Sequence, residues 1–444
     1  MNAPWTRFTP AMLLGWLNNR PVLQQAIGNT GWLMFDRILR MVIGITVGTW
    51  VAKYLGPSQF GELSYVISFI AFFQVIADLQ ADGIIVRDIA QEQGDVSVIL
   101  GTTLWLRIFL GTIAWLCATG LAFLLHPFDT QLVLLIFIVG GSMIFQSAET
   151  VDIWFQSQSK SKMTVLSKSA AYLFSNSIKI VLLLTKAPLS AFAAVICLEC
   201  AVFSLSLVIA YRRHPTSERW TARISQAKII LSQCWPFTLS GVMITAYIRI
   251  DQIMLKEILG ERELGLFAAA LTISNVWTVI PTTLVTSLAP FVARKMHQDT
   301  QQYKDLLVKI FRLFAVLAIL GILLTSALSP WIIGLLFGPQ FHSAAAILSI
   351  YVFVNIFIFQ GIAQTLWVIN TNVRSVTLIG TTAAAILGVI SNTILIRTCG
   401  VMGAVYSIML TQGTAVVILP CLLRQDLREL YMRAFFPLKV NHQQ

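Results

Sequence analysis

Apolar runs of about 18 to 28 residues alternate along the chain with short breaks of charge, proline or glycine, and each run is long enough to cross the roughly 30 Å hydrocarbon core as a helix. The runs fall near 31–51, 60–79, 98–125, 131–155, 164–185, 188–211, 235–258, 265–291, 308–329, 342–369, 373–396 and 401–423. This pattern predicts an all-α polytopic membrane protein with about twelve transmembrane helices. One break is longer than the rest: Tyr211 to Phe237 carries Trp220, Ile224, Ala227 and Leu231 as an apolar stripe beside Arg219, Arg223 and Lys228. Such a stripe predicts an amphipathic helix lying on an anionic leaflet. It separates six spans from six. The expected organisation is therefore an interfacial N-terminal segment (1–28), a first lobe (29–211), an amphipathic linker (212–234), a second lobe (235–425) and a tail (426–444).

The first hairpin, NTGWLMFDRILRMVIGITVGTWVAKYLGPSQFGELSY from Asn29 to Tyr65, places Asp36, Arg37 and Arg40 inside an apolar run. At 100° per residue these three and Gly44 share an arc of roughly 100°. A lipid-facing arginine at the bilayer centre costs about 2.5 to 3.5 kcal/mol even on the lenient insertion scale, so this face must meet protein or water. Two readings stay open: a salt-bridged packing face, or a cation-lined cavity where an anionic solute would sit. A repeat joins this hairpin to the second lobe, since LGPSQFG at Leu55 to Gly61 is echoed by LGERELG at Leu259 to Gly265, 204 residues later. Six spans separate the copies, which predicts parallel halves related by an axis along the membrane normal.

Composition agrees with the pattern and adds orientation. The chain has 444 residues, 57% hydrophobic and 11% charged, with mean hydropathy +0.77; soluble domains carry about a quarter charged residues. With both termini inside, twenty Lys and Arg fall on inside segments and five on outside loops. The positive-inside rule then places both termini in the cytoplasm. The net charge of +11 is a topology signal plus a few intramembrane cations, and gives no case for nucleic acid. The N-terminus, interrupted by Trp5, Trp16 and Pro21, does not read as a removable signal peptide. Six cysteines are scattered, and Cys197 and Cys200 read as packing within a span rather than redox or metal chemistry. No P-loop, HExxH or GxSxG motif occurs, so ATP hydrolysis and acyl transfer have no residues to run on.

The run FDRILRMVIGITVGTWVAKYLGPSQFGELSYV, the downstream DLQADGIIVRDIA (Asp78 to Ala90), the FGPQF turn (Phe337 to Phe341) and the twelve-span layout resemble bacterial polysaccharide repeat-unit flippases. These are the O-antigen type of the multidrug/oligosaccharidyl-lipid/polysaccharide (MOP) exporter superfamily. The resemblance implies two six-helix lobes in a V, alternating access, and an undecaprenyl-pyrophosphate-linked oligosaccharide moved from the cytoplasmic to the periplasmic leaflet of the bacterial inner membrane. It implies surroundings of membrane lipids, a polysaccharide polymerase and chain-length machinery. A multidrug exporter of the same superfamily and a membrane polysaccharide polymerase are the alternatives. A drug site would want an acidic pocket, and a polymerase a sizeable extramembrane loop.

A sugar-bearing pyrophosphate needs cations for its charge and amides for its hydroxyls. The candidate cations are Arg37, Arg40, Arg107, Lys179 and Arg249; the last three, isolated in apolar surroundings, are expected to converge on a central cavity. Lys168, Tyr172, Asn176 and Lys179 form a narrow stripe on span five. Asp36, Glu149, Asp152, Glu199 and Asp251 are either internal ion-pair partners or carboxylates that couple transport to a proton or sodium gradient. The second lobe, short of central charge, is expected to offer Asn355, Gln360 and Gln364 to the sugars. No bound cofactor or metal is expected.

Overall fold

The computed structural model describes residues 21–91, 95–158, 161–213, 215–216, 218–371 and 373–435. Side chains are described from Leu39 onward, so those of Asp36 and Arg37 lie outside the description, as do most of the N-terminal segment and the end of the tail. Every long element is helical. The first, α1 (Pro21–Asp78), leaves helical geometry at Gly56 (φ 73°, ψ 171°) and doubles back there, so its two limbs are spans 1 and 2. It begins ten residues before the predicted start of span 1, and a short α2 (Asp82–Ala90) follows it. Span 3 is α3 (Val96–Leu125), capped by Asp95, whose carboxylate accepts from the backbone N–H of Ser97 and Val98. Span 4 is broken into α4 (Thr130–Gly140), α5 (Ser142–Gln146) and α6 (Glu149–Ser157). Spans 5 and 6 are α7 (Ser161–Leu184) and α8 (Leu189–Arg213).

The second half repeats the plan: α9 (Ile224–Leu259), α10 (Glu261–Val276) with α11 (Val279–Gln298), α12 (Thr300–Phe337), α13 (Ala344–Tyr351) with α14 (Asn355–Thr371), α15 (Arg374–Cys399), α16 (Val401–Gly413) with α17 (Leu419–Leu423), and a tail helix α18 (Gln425–Phe435). Among the described residues ten helices are long and apolar enough to span a membrane. One of the ten, Leu39–Ile89, holds both limbs of α1. Its polar stripe keeps α7 out of the ten, yet α7 packs along α8 and α1 as a member of the bundle. The architecture is therefore twelve spans in two six-helix lobes.

The linker departs from its expected form. Residues 218–223 run extended across the end of α3: Thr221 N–H donates to Ser97 O at 3.3 Å and Arg223 N–H to Thr102 Oγ1 at 3.1 Å. Gly101 makes the crossing possible, since a Cβ there would stand 2.5 Å from the Thr221 carbonyl oxygen. Trp220 turns inward against Tyr211, with ring centroids 5.0 Å apart, and its indole N–H donates to Thr216 Oγ1 at 3.1 Å. The rest of the stripe is the start of α9, which runs on past Pro236 to Leu259. A surface-helix pattern thus resolves into a strap and the end of span 7.

The halves meet through the repeat. Gly56 and Gly260 both have positive φ, 73° and 96°, a backbone that glycine adopts without a Cβ penalty. Five residues on, a Cβ at Gly61 would lie 1.8 Å from Glu261 O, and one at Gly265 would lie 1.8 Å from Pro57 O. Pro57 and Glu261 are themselves equivalent in the repeat, so the contact is reciprocal. Around it Val51, Leu55, Tyr65, Leu255, Leu264 and Phe267 form a core shared by both lobes. At the other end of the bundle the packing separates. There α11 packs chiefly on α12 and α14, and a second core of Leu307, Phe311, Phe314, Phe359, Trp367 and Tyr431 belongs to the second lobe alone. The bundle thus has a closed glycine end and an opposite end that carries the basic loops.

Candidate transport site

The first lobe gathers its charges along α7. Tyr172 donates its hydroxyl to Arg40 O at 2.9 Å, and the Arg40 guanidinium stands over the Tyr172 ring, 5.1 Å from its centroid. Gly44 makes room for this, because a Cβ there would sit 2.7 Å from the Tyr172 hydroxyl. One turn further, Ser175 Oγ donates to Glu199 Oε2 at 2.5 Å, and Lys179 Nζ lies 3.8 Å from the same oxygen. Asn176 turns back to its own helix, donating to Tyr172 O at 2.8 Å. Toward the basic end, Lys168 donates to Asp152 Oδ2 at 3.1 Å.

Arg107 is 3% exposed on α3 and donates through Nη2 to the Asp82 carboxylate and to Asp78 O. Its Nε and Nη1 have no partner among the described residues. Glu149 stands within electrostatic reach of Arg107, Lys168, Asp82 and Asp152. A buried charge is tolerated when a carboxylate and further hydrogen bonds offset its desolvation. Arg107 and Lys179 each stand beside an acid of their own lobe, Asp82 and Glu199, and Arg107 meets the rule only in part.

The expected convergence of Arg107, Lys179 and Arg249 on one cavity is therefore corrected. Arg107 sits in the Asp82 network and Lys179 beside Glu199, whereas Arg249 lines a separate cavity in the second lobe. That cavity, of about 390 Å³, lies between α9, α10, α14 and α16, with Tyr247, Arg249, Asp251, Asn275, Tyr351 and Gln412 in its wall. Asp251 is 4% exposed, and its Oδ1 and the Tyr247 hydroxyl have no hydrogen-bond partner among the described residues. The neighbouring Gln252 accepts from Ser68 Oγ of span 2 at 2.8 Å, tying the cavity wall to the first lobe.

The amides expected to face sugars lie elsewhere. Asn355 donates to Ser274 Oγ at 3.1 Å and Gln360 to Phe311 O at 3.1 Å, both buried between helices, and Gln364 is buried with them. Asn355 and Gln360 thereby tie neighbouring spans together. The amides that do line the cavity are Gln252, Asn275 and Gln412; the last two are single amides in apolar runs, the same signal that pointed to Asn355 and Gln360.

A twelve-span bundle of two repeated lobes, closed at one end and polar at mid-depth, has the fold of the MOP superfamily. Residues 26–297 match the family described as "Polysaccharide biosynthesis protein", and the chain belongs to that family. Among solved structures, the inward-facing conformation of a multidrug resistance MATE family transporter of the MOP superfamily is similar at 13% identity and TM-score 0.69, with 88% of this chain and 95% of that chain covered. The lipid II flippase MurJ in an inward closed conformation is similar at 13% identity and TM-score 0.68, with 90% of each chain covered. A MOP superfamily transporter from Pyrococcus furiosus, whose structure is described as having a binding pocket of reverse polarity, follows at 12% identity and TM-score 0.62, with 91% and 94% covered. No curated protein gave a significant match.

Proposed function

We propose that the protein is a flippase that turns undecaprenyl-pyrophosphate-linked oligosaccharide repeat units across the bacterial inner membrane for O-antigen or other surface polysaccharide biosynthesis. Its basic end and both termini face the cytoplasm. The observation that carries this reading is a polar, cation-bearing interior beneath a closed glycine end, in a chain of a polysaccharide-biosynthesis family. The diphosphate enters from the basic end and meets the half-buried Arg40 and Lys179 of the first lobe, whose bonds to neighbours are interchangeable with bonds to phosphate oxygens. Opening of the glycine end then releases the substrate to the periplasmic leaflet, where a polymerase and its chain-length machinery take it on. A proton or sodium gradient drives the cycle. Glu149, set between cations and other carboxylates, is the best-placed acid for it.

A multidrug exporter shares the fold, but the cations Arg40 and Arg249 disfavour cationic drugs. The deciding experiment is a deletion strain. Lipid-linked repeat units should accumulate on the cytoplasmic leaflet, the wild-type gene should clear them, and Arg40→Ala at matched protein level should not. Repeat units reaching the outside at the normal rate without the protein would end this reading; altered drug resistance instead would favour the exporter.

A further inference from the structure

The second-lobe cavity carries more than the flippase reading requires. Two buried polar atoms in its wall, Asp251 Oδ1 and the Tyr247 hydroxyl, are left without partners among the described residues. Proteins bond nearly all such atoms internally; these two have almost no accessible surface and lie just behind the lining of a space of some 390 Å³, the size of a ligand pocket. The chemistry of the wall selects that occupant. Arg249 only donates and Asp251, as carboxylate, only accepts; Asn275 and Gln412 do both; Tyr247 and Tyr351 add aromatic surface.

A hydrocarbon tail would leave all these groups unsatisfied. A diphosphate would face the Asp251 carboxylate, and an organic cation would face Arg249. A sugar ring donates and accepts through its hydroxyls and lays an apolar C–H face on aromatic rings, and the wall's one cation and one carboxylate sum to zero. We infer that this cavity holds a neutral sugar ring of the glycan while the pyrophosphate remains with the cations of the first lobe.

The placement fits. Arg249 lies eleven residues before the Gly260 turn, about 16 Å below the glycine end at helical rise. The Ser68–Gln252 bond sets the cavity wall directly against span 2.

This inference rests on the flippase reading, and one binding experiment separates their failures. The full chain in nanodiscs is titrated with two probes, citronellyl pyrophosphate carrying a neutral disaccharide and citronellyl pyrophosphate alone. Wild type should bind the glycosylated probe about tenfold more tightly, as expected for a few hydrogen bonds to groups otherwise unpaired. Asp251→Asn, Tyr247→Phe and Gln412→Leu should each reduce that ratio to about threefold or less and leave the affinity for the sugar-free probe unchanged. Should Asp251→Asn fail to fold, as judged by its melting temperature, the other two variants decide. Equal wild-type affinity for the two probes, or variants that weaken both alike, would overturn the sugar pocket and leave the flippase standing. Failure of wild type to bind either probe would overturn both.

Discussion

Replacing Gly61 or Gly265 with alanine tests whether the reciprocal turns hold the glycine end shut. In each case the added Cβ would stand 1.8 Å from a backbone carbonyl oxygen of the other lobe, whereas carbon and oxygen rest at about 3.3 Å or more. Neither atom belongs to a side chain that could rotate away, so the turns must part by about 1.5 Å. Retreats of that size forfeit much of the dispersion between the surfaces involved, here Leu55, Leu264 and Phe267 of the shared core. Overpacking of this kind costs about 1 to 3 kcal/mol, which shifts a two-state equilibrium about 5- to 150-fold toward the open glycine end. The assay pairs cysteines at the exposed positions Ser58 and Arg262, in a background freed of the six native cysteines, and measures cross-linking by a short bis-maleimide. Gly61→Ala and Gly265→Ala should both lower the yield severalfold. Gly48→Ala is the control, since nothing lies within 4 Å of a Cβ there. If the control matches the two variants, or if neither variant changes the yield, the turns do not hold the end shut.

The Lys179 and Glu199 pair predicts coupling in a double-mutant cycle. Glu199→Gln alone leaves the partly buried ammonium short of its counter-ion and should lower stability by about 2 kcal/mol, and Lys179→Met with Glu199→Leu should recover most of it. Recovery of thermal stability together with export would make the pair structural; recovery of stability without export would keep Lys179 in the substrate path. At the basic end, Asp299 caps α12 by accepting from the backbone N–H of Gln301 and Gln302. Its carboxyl is held below the usual range chiefly by the bond from Gln302. A lowered carboxyl stabilises the folded form above the unfolded value and loses that contribution as pH falls through the folded value. Acid and Asp299→Ala should therefore both lower the protection factors of Gln301 to Tyr303, measured against their intrinsic exchange rates at the same pH; protection that persists in the variant would refute the cap.

What the chain reveals by itself depends on how local each constraint is. The glycine turns are legible because a positive φ and a backbone-to-backbone approach each demand one residue type at one place, and two such demands recur in LGPSQFG and LGERELG. Helix count is legible for a similar reason, as each span must satisfy its own backbone in lipid. Partners are not local. Arg107 finds Asp82 across 25 residues and a helix break, and no periodicity reports such a meeting. An apolar stripe such as Trp220, Ile224, Ala227 and Leu231 looks the same whether it faces lipid or protein, and Trp220 faces Tyr211. Single amides in apolar runs are ambiguous in the same way: Asn355 packs against Ser274 while Gln412 reaches the cavity.

The reciprocal seam also has a symmetry. Pro57 meets Gly265 as Glu261 meets Gly61, which is the geometry of a C2 homodimer, where every contact occurs twice because the same patch faces itself. Within one chain the two copies need not be identical, and they differ at Pro57 and Glu261 while both carry the glycines that receive them. Each half must carry both the carbonyl that is presented and the glycine that accepts it, and a Cβ at Gly265 would also stand 3.1 Å from Gly61 N, so a substitution in one repeat disturbs its twin as well. Such a seam fails as one, which binds the two lobes to a shared constraint at these turns.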